Sequence, residues 1–169
     1  MNSNEVVIIS AVRTPIGKYN GSLKNFKADQ LGSIVIKEIL KKVKISNDEI
    51  NEVILGQVLT AGAGQNPARQ AAINAGLPKF ISSHLVNQVC GSGLRSVISG
   101  FQTIKLKEAK YIISGGQENM SIAPHALLKK NEKKLSENNL IDTMICDGLI
   151  DAFNNYHMGV TAENIAEKF

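Results

Sequence analysis

The chain has no tryptophan, and aromatic residues make up only 5% of it. That scarcity leaves little material for the stacked platforms on which single-stranded nucleic acids lie, so no nucleic-acid partner is expected. Cysteine is equally sparse. Cys90 and Cys146 lie far apart with no Cys or His at metal-ligand spacing, which excludes a disulfide framework and a zinc site. No stretch approaches the ~20 uninterrupted apolar residues that a membrane-spanning helix needs. The opening MNSNEVVIIS also lacks the basic segment and cleavage site of a secretory signal. A cytoplasmic protein with no membrane partner is therefore expected. What is present is a 43% hydrophobic composition over 169 residues, enough for one domain with a proper core plus part of another, and incompatible with disorder. The net charge of +4 comes from scattered lysines, concentrated at Lys129, Lys130, Lys133 and Lys134. Such a cluster is a solvated surface by default, and its functional counterpart is attraction of an anionic, phosphate-bearing substrate.

Short apolar runs alternate with amphipathic stretches. Val6, Val7, Ile8 and Ile9 form a continuous apolar run, which predicts a buried strand over residues 5–10 before a turn-rich segment with Pro15, Gly17 and Gly21. Leu31, Ile34, Val35, Ile39 and Leu40 recur at helical spacing and predict an amphipathic helix over 28–43. Ser46 and Glu49 have capping-box spacing for a short turn, and residues 53–59 return to a strand pattern. A glycine-containing loop at 61–64 leads to Asn66, a cap for a helix that starts at Pro67 and stops at Gly76. Strands are predicted at 85–89 and 111–114, with a long helix over 92–107 between them. This order implies parallel pairing through helical crossovers, hence an α/β layered domain over residues 1–119. After Gly116 the texture changes to methionines among polar runs, and a second region is expected over residues 120–169. In the closing TAENIAEKF, Thr161 is the expected cap of a helix and Glu163 favours its positive end. Only about two turns follow that cap, which reads as a chain that stops inside an element.

Cys90 falls between the strand pattern HLVNQV and the helix that opens with GSGLRSV. A thiol at a helix start meets unpaired amides and the positive end of the macrodipole, which favour the thiolate, the form that attacks carbonyls. Gly91 and Gly93 remove side-chain bulk so that a thioester can approach the backbone, and the Cys90 amide is placed to donate to a developing oxyanion. The pattern is that of a nucleophile elbow. Taken alone, Cys-Gly-x-Gly is weak, because a free cysteine is more often a small buried hydrophobe. Cys146, in DTMICDGL, has no such setting and is expected to be an inert, partly buried thiol. His84, His125 and His157 are candidate bases or pocket residues, and each taken singly reads more readily as a hydrogen-bonded structural residue.

The segment NQVCGSGLRS at residues 87–96 resembles the nucleophile motif of thiolases. Four further segments resemble thiolase motifs in the same order: VRTPIG (12–17), LGQVLTAGAGQNPARQAA (55–72), SGGQENMS (114–121) and YHMGVTAEN (156–164). Five motifs spread over nearly the whole chain are highly specific. The residues from Gly91 to Arg95 and the pair His157 and Met158 are more similar to biosynthetic thiolases acting on short acyl groups than to degradative 3-ketoacyl-CoA thiolases. A carrier-protein-dependent ketoacyl synthase is disfavoured by the residues flanking Cys90.

The resemblance implies a layered α/β/α domain with a parallel-rich mixed sheet over residues 1–119. It also implies the beginning of a loop, tetramerisation and CoA-binding region over 120–169. Cys90 would take an acetyl group from acetyl-CoA, and a second acetyl-CoA would condense with it to give acetoacetyl-CoA, a sequence that runs backwards as thiolysis. His157 and Met158 would lie in the substrate pocket beside the acyl end of CoA. Gln65 and Asn66 would fall in a subunit-contact and active-site-support loop, and the segment around 125–140 would belong to a tetramer-forming excursion. No metal or redox cofactor is implied, because the thioester supplies both an acidic α-carbon and a good leaving group. Thiolases are roughly twice this length, and their second half supplies an activating histidine and a proton-moving cysteine that have no counterpart motif here. The expected partner is therefore a complementary C-terminal half or, in the complete protein, a homotetramer. The competing readings are a degradative thiolase fragment and a noncatalytic remnant.

Overall fold

Helices form where the apolar spacing predicts them. The computed structural model describes residues 5–127 and 140–169, and Lys129, Lys130, Lys133 and Lys134 lie outside those residues. Helix α1 spans Ala28–Lys42 with Lys41 and Lys42 in its last turn, where cations meet the negative end of the dipole. A 3₁₀ turn at Asn47–Glu49 follows, and Glu49 Oε2 accepts from the Ser46 amide at 3.1 Å, as the capping-box spacing predicts. Strand β1 is Glu52–Gly56. Helix α2 is Pro67–Asn74, and Asn66 Oδ1 accepts from the Arg69 amide at 3.1 Å, with proline at the first position where no donor is needed. Gly76, at φ +92°, turns the chain away from α2 in a conformation that side chains resist. Strand β2 (Ser82–Val86), helix α3 (Ser92–Lys105) and strand β3 (Ile112–Gly116) complete the pattern.

The three strands form a sheet in the order β2-β1-β3, with both pairings parallel. Side chains of β1 alternate between its faces. Val53 and Leu55 are buried with Ile36 of α1, Ala68, Ala71 and Ala72 of α2, and Ile113 of β3. Ile54, fully buried, and Gly56 belong to the opposite face, which carries α3. Helices thus cover both faces, giving the α/β/α layering the sequence implies.

Small residues set how closely α3 sits on the sheet. A Cβ at Gly56 would fall 2.4 Å from the Ser92 carbonyl carbon and 2.5 Å from the Gly93 nitrogen. One at Gly100 would fall 2.5 Å from Ser114 Oγ. Ser96 is completely buried, its Oγ 2.6 Å from Gly93 O and 2.7 Å from Gly115 O, so its one proton is shared between the helix and the strand below. On the outer side of α3, Leu94, Val97, Ile98 and Phe101 are exposed at the i, i+3, i+4, i+7 spacing of a packing stripe.

Two expectations are corrected. Residues 5–10 form no strand, and Val7, Ile8 and Ile9 are 60–79% exposed. A strand exists by virtue of its ladder, and this apolar run has no pairing partner among the described residues. Strand β2 starts at Ser82, three residues ahead of the expected 85, because the parallel register with β1 recruits Ser82 and Ser83 and the chain leaves the sheet to turn before α3. The parallel pairing of β1 with β2 and β3 agrees with the expected α/β layered domain, and antiparallel pairing occurs in the second unit.

The chain divides into two compact units, the first ending at Ile122 and the second running from Ala123 to Phe169; the sequence reading places a boundary after residue 119. Within the second unit, β4 (His125–Leu127) pairs antiparallel with β5 (Leu140–Asp142). Helix α4, Thr143–Gly148, is capped by Asp142 Oδ1, which accepts from the amides of Met144 at 2.9 Å and Ile145 at 3.2 Å. Helix α5 runs over Met158–Lys168. Its cap is His157 and not the expected Thr161, because the His157 ring offers an acceptor one turn earlier.

The close seat of α3 has a direct consequence for stability. Gly56→Ala is expected to lower the free energy of unfolding by about 1–3 kcal/mol through overpacking. Gly93→Ala, whose Cβ meets nothing within 4 Å, is expected to be neutral or stabilising, by up to about 1 kcal/mol from helix propensity. Denaturant unfolding of the two variants measures this, and equal stabilities would refute the account of the contact.

Candidate active site

Between β2 and α3 the chain reverses within five residues. The Gly91 amide donates to Gln88 O at 3.0 Å and the Ser92 amide to Val89 O at 3.1 Å, two successive tight turns with Cys90 at their apex. Val89 adopts φ +48°, the left-handed region that β-branched residues avoid. Cys90 is exposed, and Gly91 is the cap position of α3, where no side chain caps the helix. The first-turn amides have no intrahelical acceptor, so an anion beside them is favoured. The strand–turn–helix placement expected for Cys90 is therefore present.

The other cysteine differs. Cys146 lies on α4 and is exposed, which corrects the expectation of a partly buried thiol. Local loss of water around the sulfur, then the hydrogen bond and negative charge of Asp147, push its thiol up from the ordinary value, so at neutral pH it is kept in the less reactive form.

The histidines occupy three unrelated settings. His84 Nδ1 is 3.0 Å from Glu52 Oε1 across the β1–β2 ladder. His125 Nε2 is 4.0 Å from Asp142 Oδ2 across the β4–β5 pair. His157 Nδ1 accepts from the Gly159 amide at 3.0 Å, which places the proton of the neutral ring on Nε2. Its position is fixed by a closed loop. Asp151 N donates to Tyr156 O and Met158 N donates to Leu149 O, both at 2.9 Å. Asp151 Oδ1 accepts from the amides of Asn154 at 2.6 Å and Phe153 at 3.1 Å, and these bonds hold its carboxyl below the ordinary range. Met158 is half-buried at the first position of α5. Cys90 belongs to the first unit, and His157 and Met158 to the second.

Several motif residues prove to be scaffolding. Asn66, besides capping α2, donates from Nδ2 to Ser83 O at 2.8 Å, tying that helix to β2, and Gln65 O accepts from Gln70 Nε2 at 2.9 Å. In SGGQENMS, Gln117 Nε2 donates to Gln57 Oε1 at 2.8 Å, and Asn119 Nδ2 donates to the carbonyls of Leu23, Lys24 and Phe26. Glu118 Oε2 accepts from the amides of Val58 at 2.8 Å and Leu59 at 3.1 Å, while its Oε1 is buried without a partner. Burial pushes the Glu118 carboxyl up from its ordinary 4.5, against the amides of Leu59, Val58 and Asn119, which favour the ionised form. The roles of Gln117, Glu118 and Asn119 escape sequence reasoning, since each joins segments about 60 or more residues apart; only the density of Asn, Gln and Glu beside glycines signals them. A cavity of about 190 Å³ lies among Val12, Thr14, Ile36, Leu55, Gln117 and Glu118. Cys90 is not in its lining. Among the described residues no three His, Cys, Asp or Glu side chains are grouped to hold a metal ion, and no helix is long and apolar enough to cross a membrane.

Residues 6–169 match the family model described as thiolase, N-terminal domain. The chain is 50% identical over 166 residues to an acetyl-CoA acetyltransferase of Cupriavidus necator, and 52% identical over 165 residues to one of Paracoccus denitrificans. It is 48% identical over 167 residues to a cytosolic acetyl-CoA acetyltransferase of Rattus norvegicus. These alignments cover 98–99% of the chain, and the chain spans 42% of the length of each relative.

The Glu118 carboxyl binds its proton more tightly folded than unfolded. Its contribution to stability is therefore complete below the unfolded value and declines as pH rises toward the raised folded one. Glu118→Gln keeps an acceptor for Val58 and Leu59 without the buried charge. In denaturant unfolding from about pH 4 to pH 7 the stability difference is expected to move in favour of the variant as pH rises. A constant difference, or one moving the other way, would refute the burial account.

Proposed function

The chain belongs to the thiolase family, and from that premise we propose that Cys90 is a nucleophile that accepts an acetyl group from acetyl-CoA. One observation carries the reading. An exposed cysteine stands at a strand–turn–helix elbow in a chain about half identical to enzymes named acetyl-CoA acetyltransferase.

The chemistry follows from that placement. The Cys90 thiolate adds to the thioester carbonyl, and the developing oxyanion is stabilised by backbone amides at the start of α3. Collapse breaks the bond to the CoA sulfur and leaves acetyl-Cys90 and CoA thiolate, which takes up the proton that the Cys90 thiol gave up on ionising. One thioester replaces another, so the step is close to thermoneutral and runs in either direction. In the condensation, a second acetyl-CoA loses a methyl proton to a base, its carbanion attacks acetyl-Cys90, and the Cys90 thiolate departs as acetoacetyl-CoA forms. The substrates are CoA thioesters, and neither step calls for a metal or redox group. His157 and Met158 are assigned to the acyl end of the CoA pocket on the family resemblance of YHMGVTAEN. The His157–Gly159 bond supports a fixed ring for that task.

The base and the second cysteine of the condensation are assigned to the portion of the family's length that this chain does not span. The proposed partner is a complementary C-terminal half or, in the complete protein, further copies of the chain in a homotetramer. The exposed stripe of Leu94, Val97, Ile98 and Phe101 on α3 supports a covering partner, since side chains at packing spacing on one helix face seldom stay in water. A cytoplasmic setting is supported by the name of the rat relative.

Acetyl-CoA is expected to leave one hydroxylamine-labile acetyl group on Cys90 of the purified chain, detected by intact mass and peptide mapping. The label is expected to be absent from Cys90→Ser and from Cys146. Folded protein without a selective label would overturn the acyl-transfer reading. Condensation by the chain alone is expected to be slower than in a complete enzyme by at least ~10²–10⁴, the usual effect of losing a general base; acetoacetyl-CoA formation at an ordinary rate would contradict that.

A further inference from the structure

Among the described residues five non-glycine residues have positive φ, and four of them are Asn20, Asn66, Lys107 and Asn155, asparagines or a flexible lysine. The fifth is Val89, a β-branched residue at φ +48° immediately before Cys90. Such a residue leaves the left-handed region unless its surroundings hold it there. The structure shows what holds it. Ser92 is 4% exposed, and its hydroxyl accepts from the Gln88 amide at 2.8 Å and donates to Val89 O at 2.6 Å. The Val89 amide donates to Asn87 Oδ1 at 3.0 Å. Both backbone polar groups of Val89 are thereby engaged by side chains. The Ser92 side chain reaches this position because β1 offers no side chain beneath it: a Cβ at Gly56 would fall 2.7 Å from Ser92 Cβ.

We propose that Ser92, seconded by Asn87, is a positioning residue that clamps Val89 in its left-handed conformation and thereby sets where the Cys90 thiol stands relative to the first turn of α3. The inference rests on the reading of Cys90 as the nucleophile and adds the device that aims it. A hydroxyl serving only to satisfy buried amides would support the helix without acting on the cysteine. Ser96 supplies that comparison, since it is equally buried one turn along the same helix and bonds Gly93 O and Gly115 O without touching the elbow.

The test is the rate of Cys90 alkylation by iodoacetamide in the 169-residue chain, mapped by mass spectrometry and referenced to Cys146. Ser92→Ala is expected to lower the Cys90 to Cys146 ratio by about fivefold or more, because a thiol displaced from the helix start loses its activating surroundings. Ser96→Ala is expected to leave the ratio within about twofold, although both variants remove a buried hydroxyl. In a Val89→Gly background, where the left-handed conformation needs no clamp, Ser92→Ala is expected to change the ratio by about twofold or less. Asn87→Ala alters an exposed residue with little risk to folding, so it keeps the idea falsifiable if Ser92→Ala does not fold. Its ratio is expected to fall about two- to threefold through loss of the Val89 amide's acceptor. The proposal is overturned if neither Ser92→Ala nor Asn87→Ala lowers the ratio, if Ser96→Ala lowers it as much, or if the Val89→Gly background leaves the Ser92 effect intact. Treating the wild type with acetyl-CoA separates the two ideas: no acetyl-Cys90 would sink the acyl-transfer reading, while the alkylation ratios still decide the role of Ser92.

Discussion

The contact on which the first unit depends is the near-touching approach of α3 to β1 and β3. It exists because the facing positions are glycine and serine. At Gly56 even a methyl group would overlap the backbone of Ser92 and Gly93, and at Gly100 it would overlap Ser114. Where a helix usually rests on a sheet through interlocking apolar side chains, here the two backbones come close enough for one serine hydroxyl to lie within hydrogen-bond distance of both. Packing on this face is therefore intolerant of volume, since added atoms have nowhere to relax.

That approach explains the chemistry at the end of the helix. A helix seated so low leaves little length for the chain to climb from β2 into α3, so the connection turns twice in five residues and Val89 adopts a backbone conformation foreign to its side chain. Strain of this kind persists only where surrounding bonds over-determine it, and the Ser92 and Asn87 side chains supply them. The result is a cysteine at the apex, exposed, beside uncapped amides. The second unit fixes its own histidine by a different device, a loop in which Asp151, Tyr156, Leu149 and Met158 bond to one another around His157.

Much of this was legible. The bounds of α1 follow from its apolar spacing, α2 starts at Asn66 and Pro67 as cap chemistry requires, and the place of Cys90 between strand and helix is readable from Gly91 and Gly93. These features depend on neighbours within a few residues. The apolar run at 5–10 reads as a strand and is not one, because an apolar run states a need for burial without naming what satisfies it. Cys146 reads as partly buried, yet its α4 position exposes it, and local loss of water together with Asp147 pushes its thiol up. Thr161 has the composition of a cap but lies inside α5, since His157 is an acceptor that composition ranks low.

Local chemistry therefore determined the periodic elements, the caps, the family resemblance and the identity of the candidate nucleophile, because propensity, capping and motif all act over a few residues of chain. Tertiary structure alone decided which glycines are obligatory, which polar motif residues are scaffold, how Glu118 is buried against Val58 and Leu59, and what clamps Val89 beneath Cys90. The physical reason is range. Each of those outcomes is set by atoms brought together from distant parts of the chain or by the exact path of a turn, and an amino-acid sequence records the candidates for such contacts without recording their distances.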